Sequence, residues 1–281
     1  MKVLIVGSSS MIGRHIGEQL SRAHTVAYAG RRNADYFLDL GRQDDHFPAG
    51  HQFDAVIHCA ADFGGNEEDD FFRSEIVNAI GSLTVARISR KVSAGHLIMI
   101  SSSSAYYSSG HPFFNTYALS KRHGDELVSL YCEKFQLPLT VLRPTQVYGA
   151  NDGYRVHQPL LYHIIDQAAH GKDLVLYGRN DAVRNYLYID DLMDVARRVL
   201  DKRVVGTFPV SSQRSWRLSD IAKAAFEALG TTGRVVFDPA KPSIPALQAP
   251  DSASFYGQIG LIETVDLPEG MKRIAMARRA S

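Results

Sequence analysis

Short apolar runs alternate with longer helical patterns through the first two thirds of the sequence, and this rhythm limits the possible folds more than any other feature. The predicted strands span residues 2–6, 25–29, 54–60, 96–101 and 139–143, and the predicted helices span about 12–23, 69–92 and 115–135. Several strands are apolar throughout, as strands covered on both faces are. Because parallel strands are joined by right-handed crossovers, the pattern predicts an α/β fold with a doubly wound parallel sheet.

The rhythm changes after Gly149. A helix near 156–170, a short strand at "DLVLYG", a helix at "LSDIAKAAFEALG" and a proline-rich segment then follow. We therefore expect a smaller C-terminal lobe interleaved with the first domain. The predicted boundaries are 1–148 with parts of 183–212 for the first domain, and 149–182 with 213–281 for the second.

Charge and cysteine content exclude several classes of function. The 31 basic and 30 acidic residues give a net charge of +1, which favours neither nucleic acid nor an anionic membrane as a partner. No run approaches the roughly 20 apolar residues that span a bilayer, and "MKVLIVG" is too short for a signal peptide. Cys59 and Cys132 have no metal-ligand spacing with histidine, so we expect no metal and a cytoplasmic location.

A glycine-rich turn follows the first strand in "VLIVGSSSMIGRHIGEQL". Gly7 ends the strand and Gly13 lies in the next helix, where a missing Cβ lets helix and strand approach. The helix N-terminus then faces a pyrophosphate, helped by the hydroxyls of Ser8, Ser9 and Ser10. The turn predicts a Rossmann-type dinucleotide site with contacts from Gly7, Ser9, Ser10, Met11, Ile12 and Gly13.

Two arginines follow the second strand in "AYAGRRN". A dinucleotide without a 2′-phosphate usually meets a carboxylate there, whereas Arg31 and Arg32 match a phosphate dianion. The pair favours NADP(H) as cofactor, with NAD(H) possible. We also expect Asp39, with Leu40 beside it, to bond the adenine amino group, and Ala60 and Ala61 to provide a small surface beneath the dinucleotide.

A tyrosine and a lysine lie four residues apart in "YALSK". On a helix, Tyr117 and Lys121 share one face. Ionising a phenol at neutral pH needs a pKa shift of about 3 units, or about 4 kcal/mol, and a nearby ammonium acts in that direction. Tyr117 is thus a candidate proton carrier, and a hydroxyl from Ser101–Ser104 could polarise the same substrate oxygen.

Several segments together resemble the extended short-chain dehydrogenase/reductases that modify nucleotide sugars, the NAD-dependent epimerase/dehydratase family. The resemblance covers nearly the whole chain and rests on the glycine turn, "DAVIHCAAD", "VNAIGS", "SSSSAYY", "YALSK", "LRPTQVYG" and "RNYLYIDDL". The chain departs from the family pattern at Ser10, which stands where the middle glycine of Gly-x-x-Gly-x-x-Gly is found.

The resemblance implies roles for individual positions. Counting back four residues from Tyr107 makes Ser103 the hydroxyl partner of Tyr117, with Ser102 and Ser104 as alternatives, so that the implied catalytic residues are Ser103, Tyr117 and Lys121. On the cofactor side it implies contacts from Asn78, Ser101, Tyr117, Lys121 and Pro144. For the nucleotide-sugar substrate it implies Ser103, Gln146 and Arg184; an ion pair of Arg184 with Asp190 or Asp191 is the alternative. A homodimer through helix 115–135 is also implied.

The residues after Ser103 narrow the reaction. A 4,6-dehydratase would carry an Asp-Glu pair there and a 3,5-epimerising relative would carry a cysteine, but Ser104 and Ala105 follow instead. Hydride transfer at C4 remains. We favour an NADP(H)-dependent 4-ketosugar reductase; a C4-epimerase with tightly bound NAD, a reductase of a non-nucleotide carbonyl compound and a non-catalytic dinucleotide-binding regulator remain open.

Overall fold

The computed structural model describes residues 1–42, 47–48 and 50–280. Its strands are β1 (Lys2–Val6), β2 (Thr25–Gly30), β3 (Tyr36–Phe37), β4 (Ala55–His58), β5 (Leu97–Ile100), β6 (Leu139–Pro144), β7 (Gln146–Tyr148), β8 (Leu174–Tyr177), β9 (Val183–Arg184), β10 (Tyr186–Tyr188), β11 (Gly206–Val210), β12 (Trp216–Arg217) and β13 (Val235–Asp238). The α-helices are α1 (Met11–Leu20), α2 (Glu68–Ser74), α3 (Gly81–Lys91), α4 (Thr116–Phe135), α5 (Pro159–Ala169), α6 (Ile189–Lys202), α7 (Leu218–Leu229), α8 (Ala253–Ile259) and α9 (Leu267–Ala280).

The chain forms two compact units. The first comprises residues 1–144 and 193–209, and the second comprises residues 145–192 and 210–281.

A seven-stranded sheet organises the first unit, with strand order β11-β6-β5-β4-β1-β2-β3. Strands β1 to β6 pair in parallel throughout. The sequence prediction of an α/β fold with a doubly wound parallel sheet is confirmed. The order reverses between β1 and β4, and open α/β sheets bind ligands outside the carboxyl ends of the strands at such a point.

Burial explains the strand pattern. All four residues of β4 and all four of β5 are buried, as their apolar character indicates. The two-residue β3 escaped the sequence prediction because it is too short to show a periodicity.

The helix predicted at 69–92 contains a break. Residues Glu75–Ile80 form a π-helix between α2 and α3. Gly124 of α4 packs so closely that an added Cβ would collide with the Asn78 carbonyl oxygen. The local change in helix type accompanies a tertiary contact, which is the reason that periodicity alone could not predict it.

The second unit contains three two-stranded sheets: β7 with β10, β8 with β13, and β9 with β12. The strand at "DLVLYG" and the helix at "LSDIAKAAFEALG" occur as β8 and α7, and residues 239–252 carry no helix or strand. In the described part of the chain, no helix is both long and apolar enough to cross a membrane. The same residues contain no cluster of three or more histidine, cysteine, aspartate or glutamate side chains that could hold a metal ion.

Candidate active site

The turn after β1 is shaped by a glycine in the left-handed region. Gly7 has a φ of +112°, and a Cβ at this position would lie 2.7 Å from the Ala60 backbone nitrogen. A Cβ on Gly13 would lie 3.0 Å from the Gly7 carbonyl oxygen. Gly7 therefore needs glycine, a side chain at Gly13 would be tightly crowded, and the carboxyl ends of β1 and β4 meet closely there.

Ser10, the departure from the family pattern, caps helix α1. Its side chain accepts a hydrogen bond from the Gly13 amide at 3.2 Å. The buried Ser8 hydroxyl donates to the Arg32 carbonyl oxygen at 2.5 Å, so it is committed to the protein. Ser9 is exposed. Of the three hydroxyls expected to help hold a pyrophosphate, two have structural partners and Ser9 is the accessible one.

Arg14 ties the glycine turn to the segment after β2. Its Nε donates to the Ser8 carbonyl oxygen at 2.5 Å, and another guanidinium nitrogen donates to the Asn33 carbonyl oxygen. The guanidinium also lies 4.2 Å from the centre of the Tyr28 ring. Sequence reasoning missed Arg14, although its place directly after Gly13 was a usable signal. It adds a positive charge beside the exposed pair Arg31 and Arg32.

The remaining residues predicted for the adenosine half lie nearby in the chain's first unit. Asp39 accepts a hydrogen bond from the Gly41 amide at 3.0 Å, Leu40 is buried, and Ala60 and Ala61 are half-buried after β4. Asp39 also lies 3.7 Å from the Arg42 guanidinium, so its carboxylate already has local partners.

These features fit a dinucleotide. The first-turn amides of α1, which include those of Met11 and Ile12, have no carbonyl partner within the helix and favour an anion. Three arginines lie beside the end of β2, where a phosphate would be bound. The part of the site that would hold a pyrophosphate and a ribose phosphate is therefore chemically suited to NAD(P).

Asn78 joins three segments through its side-chain amide. It is buried in the π-helix, accepts from the Asp62 amide at 2.8 Å, and donates to the Asp62 carbonyl oxygen at 2.7 Å and the Ser120 hydroxyl at 2.9 Å. Both N–H donors of this amide are used, and its oxygen accepts one of the two hydrogen bonds that an amide oxygen can take. The expected contact of Asn78 with the nicotinamide end stays a prediction.

Asn78 and Asp62 fix a loop that carries an aromatic residue onto Tyr117. Asp62 accepts from the Gly64 amide, the Ser74 hydroxyl and the Arg73 guanidinium. Phe63 follows and stacks on the Tyr117 ring with a centroid separation of 5.5 Å and an interplanar angle of 17°. Phe63 is 55% exposed, so it covers one face of the phenol while remaining at the surface.

Among the four serines that follow β5, Ser102 is the one whose hydrogen bond affects the pKa of Tyr117. A hydrogen bond with Ser102 lowers the pKa of Tyr117, but burial has the larger effect and, together with the Asp125 charge, raises that pKa to about 12. β5 ends at Ile100, Ser102 is still extended, and Ser103 begins a 3₁₀ helix, Ser103–Tyr106. Ser103 stays the predicted partner of the phenol, and Ser102, one of its two alternatives, is the serine whose hydrogen bond affects the pKa of Tyr117.

The direction of the Tyr117 pKa also differs from the sequence expectation. Lys121 was expected to ease ionisation of the phenol, but its Nζ donates to the Ile100 carbonyl oxygen at 3.1 Å and is only 2% exposed. Burial lowers the pKa of Lys121, and Asp125 opposes this effect. Tyr117 and Lys121 do lie on α4, whose first turn is capped by Asn115 accepting from the Ala118 amide at 2.9 Å.

Ser101 and Pro144 are placed at the ends of β5 and β6. The buried Ser101 hydroxyl donates to the Asp125 carboxylate at 2.8 Å, so it is committed to a side-chain partner. Pro144 is buried and is the last residue of β6. The predicted cofactor contacts of Ser101 and Pro144 stay predictions, and the Ser101 hydroxyl has a structural role in addition.

In the second unit, the two residues predicted to bind substrate lie on strands of different two-stranded sheets, Gln146 on β7 and Arg184 on β9. Gln146 pairs with Tyr186 in the β7–β10 register, two residues after Arg184. The Gln146 side-chain nitrogen donates to the side-chain oxygen Oε1 of Gln158 at 2.9 Å, and the buried Oε1 of Gln146 itself has no hydrogen-bond partner among the described residues.

Arg184 has backbone partners. Its guanidinium donates to the carbonyl oxygens of Val183 and Pro245 at 2.8 and 2.7 Å, and the residue is 4% exposed. Asp190 accepts from Arg273, whereas Asp191 accepts from the Thr264 and Val265 amides.

Three comparisons with known proteins agree with this geometry. Residues 3–209 match the model of the family described as "NAD dependent epimerase/dehydratase family". A dTDP-4-dehydro-6-deoxy-D-allose reductase of Streptomyces bikiniensis is 25% identical over 207 residues, which cover 67% of this chain and 63% of that protein. The match thus spans less than two thirds of that relative's length.

Two further similarities extend over nearly the whole chain. A GDP-L-fucose synthase of Escherichia coli is 21% identical over 305 residues, covering 96% of this chain and 94% of that protein. The crystal structure of a UDP-N-acetylglucosamine 4-epimerase from Bacillus cereus superposes with a TM-score of 0.78 at 20% identity, covering 100% of this chain and 97% of that one. The glycine turn and the doubly wound sheet are consistent with the match over residues 3–209. This match shows that the chain belongs to the NAD dependent epimerase/dehydratase family, a family of enzymes.

Proposed function

We propose that this protein is an NADPH-dependent reductase that converts the 4-keto group of a nucleotide-activated sugar to a hydroxyl, with Tyr117 as the proton donor. The arrangement around Tyr117 carries the proposal: the half-buried phenol lies one helical turn from Lys121 and stacks against Phe63, and burial raises its pKa to about 12, which favours the protonated form at neutral pH. A reductase needs a proton to donate to the carbonyl oxygen, whereas an enzyme that begins by oxidising a hydroxyl needs a base.

The residues around Tyr117 suit this role. When bound, the cofactor supplies the hydride that the carbonyl carbon accepts. Tyr117 gives its phenolic proton to the carbonyl oxygen, and the Ser102 hydroxyl polarises that oxygen. The Lys121 ammonium, one helical turn away, stabilises the phenolate left behind, which solvent then reprotonates.

The preference for NADPH rests on positive charge at the end of β2. Arg31 and Arg32 are exposed there, and Arg14 contributes a third guanidinium tied to the same segment. Guanidinium groups bind phosphate bidentately, so a 2′-phosphate gains charge-assisted hydrogen bonds that a ribose hydroxyl does not.

Recognition of the nucleotide-sugar is proposed for the second unit. The buried guanidinium of Arg184 is suited to a diphosphate, and the orphan Oε1 of Gln146 can accept a hydrogen bond from a substrate hydroxyl or N–H. The relative from Streptomyces bikiniensis, named a 4-dehydro-6-deoxysugar reductase, supports a 4-ketosugar nucleotide as the substrate class.

Assembly and location are also proposals. Leu127 and Leu130 of α4 are exposed and three residues apart, so they share a face that could pair with a second copy in a homodimer. Cys59 and Cys132 are buried free thiols, which suits the reducing cytoplasm.

The test begins with freshly purified protein. Mass spectrometry of the denatured protein reports retained cofactor, and NADPH consumption is then followed with a 4-keto-6-deoxyhexose nucleotide and, in parallel, with a simple ketone. The proposal expects little retained NAD and oxidation of NADPH only with the nucleotide-sugar. Tightly retained NAD with interconversion of C4 epimers would instead indicate the epimerase, reduction of the simple ketone would indicate a non-nucleotide substrate, and binding without turnover would indicate a regulator.

A further inference from the structure

A buried carboxylate lies behind the proposed catalytic pair on the same face of α4. Tyr117, Lys121 and Asp125 are spaced four residues apart, so each lies one turn from the next. Asp125 is 3% exposed. A buried carboxylate is costly unless it is paired, so its partners indicate what holds it there.

Two elements other than α4 supply partners to Asp125. The Ser101 hydroxyl, just after β5, donates to its Oδ2 at 2.8 Å, and Nε of Arg143 on β6 donates to the same oxygen at 2.8 Å. The Arg143 guanidinium is itself placed 4.5 Å from the centre of the Tyr106 ring. The carboxylate is therefore fixed in position by groups on both strands that flank the helix.

The other oxygen, Oδ1, is buried and has no hydrogen-bond partner among the described residues. An unsatisfied buried acceptor costs about 1–3 kcal/mol and calls for an explanation. An apolar side chain in place of Asp125 would avoid that cost. The negative charge of the Asp125 carboxylate is therefore the feature that needs an explanation.

Few other groups around this cluster carry charge. Burial lowers the pKa of His58 to about 3 and raises the pKa of Cys59 to about 12, so both are neutral at neutral pH. Lys121, Arg143 and Asp125 are then the charged side chains of the cluster. Burial raises the pKa of Asp125, and Lys121, Arg143 and the Ser101 hydrogen bond all act against that increase.

We propose that Asp125 is a positioning residue whose negative charge offsets that of Lys121 and thereby holds Tyr117 in its protonated, proton-donating form. This inference deepens the proposed reductase activity and rests on it for its functional meaning. Without the carboxylate, two cations behind the phenol would favour the phenolate, the form that an oxidising enzyme needs as its base. Asp125 would thus set the direction in which the tyrosine moves its proton.

The test measures the phenol directly and needs no substrate. The ultraviolet absorbance change of tyrosine ionisation is titrated in the full-length protein, and the Tyr117→Phe titration is subtracted to isolate Tyr117. Asp125→Asn, which keeps shape and removes charge, is expected to lower the pKa of Tyr117 by about 1 unit. Asp125→Glu should retain the original titration, and Asp220→Asn, at an exposed ion pair on α7, is the matched control with no shift.

A second variant, expected to change the pKa of Tyr117 in the opposite direction, provides the test if Asp125→Asn does not fold. Arg143→Gln removes the cation on the far side of the carboxylate and should raise the pKa of Tyr117. In the reductase assay, the high-pH limb of kcat should move with the titration, downward for Asp125→Asn and upward for Arg143→Gln. A folded Asp125→Asn with an unshifted phenol titration, or a shift of the wrong sign in Arg143→Gln, would overturn the proposal whether or not the enzyme is a reductase.

Discussion

At the scale of single residues, the identity of the hydroxyl partner depends on where one strand ends. Counting back from Tyr107 selects Ser103, whereas the serine whose hydrogen bond lowers the pKa of Tyr117 is Ser102. A run of four serines contains no signal for the position at which β5 ends and the 3₁₀ helix begins. The presence of a serine could therefore be predicted from the sequence, whereas its number could not.

Replacing each serine separately distinguishes the two. Ser102→Ala should lower kcat by about 100-fold, the size of losing one preorganised donor, and raise the pKa of Tyr117 because a hydrogen bond to the phenol is lost. Ser103→Ala, the matched control, should change kcat by only a few-fold. The measurement is steady-state NADPH oxidation, and the reverse order of effects would restore Ser103 to the role.

Phe63 is a residue that sequence reasoning did not single out. Its stacking on Tyr117 is expected to fix the phenol, and an aromatic pair contributes about 0.5–1.5 kcal/mol. Phe63→Ala should therefore lower kcat by about 2- to 12-fold while leaving NADPH affinity unchanged, and Phe63→Tyr should keep near-normal turnover. Equal turnover in Phe63→Ala and the unaltered protein would show that the stack has no part in positioning.

At the scale of secondary-structure elements, the strands of the parallel sheet follow from local sequence because buried β-branched runs are distinctive. The π-helix at Glu75–Ile80 does not, since it depends on the close approach of Gly124 to Asn78. The glycine turn was predicted, but the capping role of Ser10 and the clasp by Arg14 needed coordinates. Sequence patterns therefore predict the helices and strands, whereas the details of the candidate site depend on contacts between those elements.

The loop that carries Phe63 gives an element-scale prediction. Asn78→Ala would leave the Asp62 amide and carbonyl without this partner and would remove one of the two bonds of the Ser120 hydroxyl, at an expected cost of about 2–4 kcal/mol in the free energy of unfolding. Urea denaturation measures the change. Asn66 is exposed in the same loop, and Asn66→Ala is the control, which should change the free energy of unfolding by no more than about 0.5 kcal/mol. Equal effects of the two variants would show that the Asn78 side chain does not hold this loop in place.

At the scale of the whole molecule, cofactor binding should stabilise the folded chain. Free ligand at 100 times its Kd adds about 2.7 kcal/mol to the free energy of unfolding, which a thermal shift reports. We expect a larger shift with NADPH than with equimolar NADH. Replacing Arg31 and Arg32 by alanine should remove that difference, whereas alanine at the exposed Arg217 of the second unit should not; equal loss of both shifts would contradict recognition of the 2′-phosphate.

The central claim is that Tyr117 donates the proton in an NADPH-dependent reduction. The most direct measurement compares Tyr117→Phe with the unaltered protein in two assays, NADPH binding by fluorescence and NADPH oxidation with a 4-keto-6-deoxyhexose nucleotide. The account predicts a kcat lowered by at least about 100-fold, at the low end of what a general acid contributes, with NADPH affinity nearly unchanged. Turnover retained in Tyr117→Phe would contradict it.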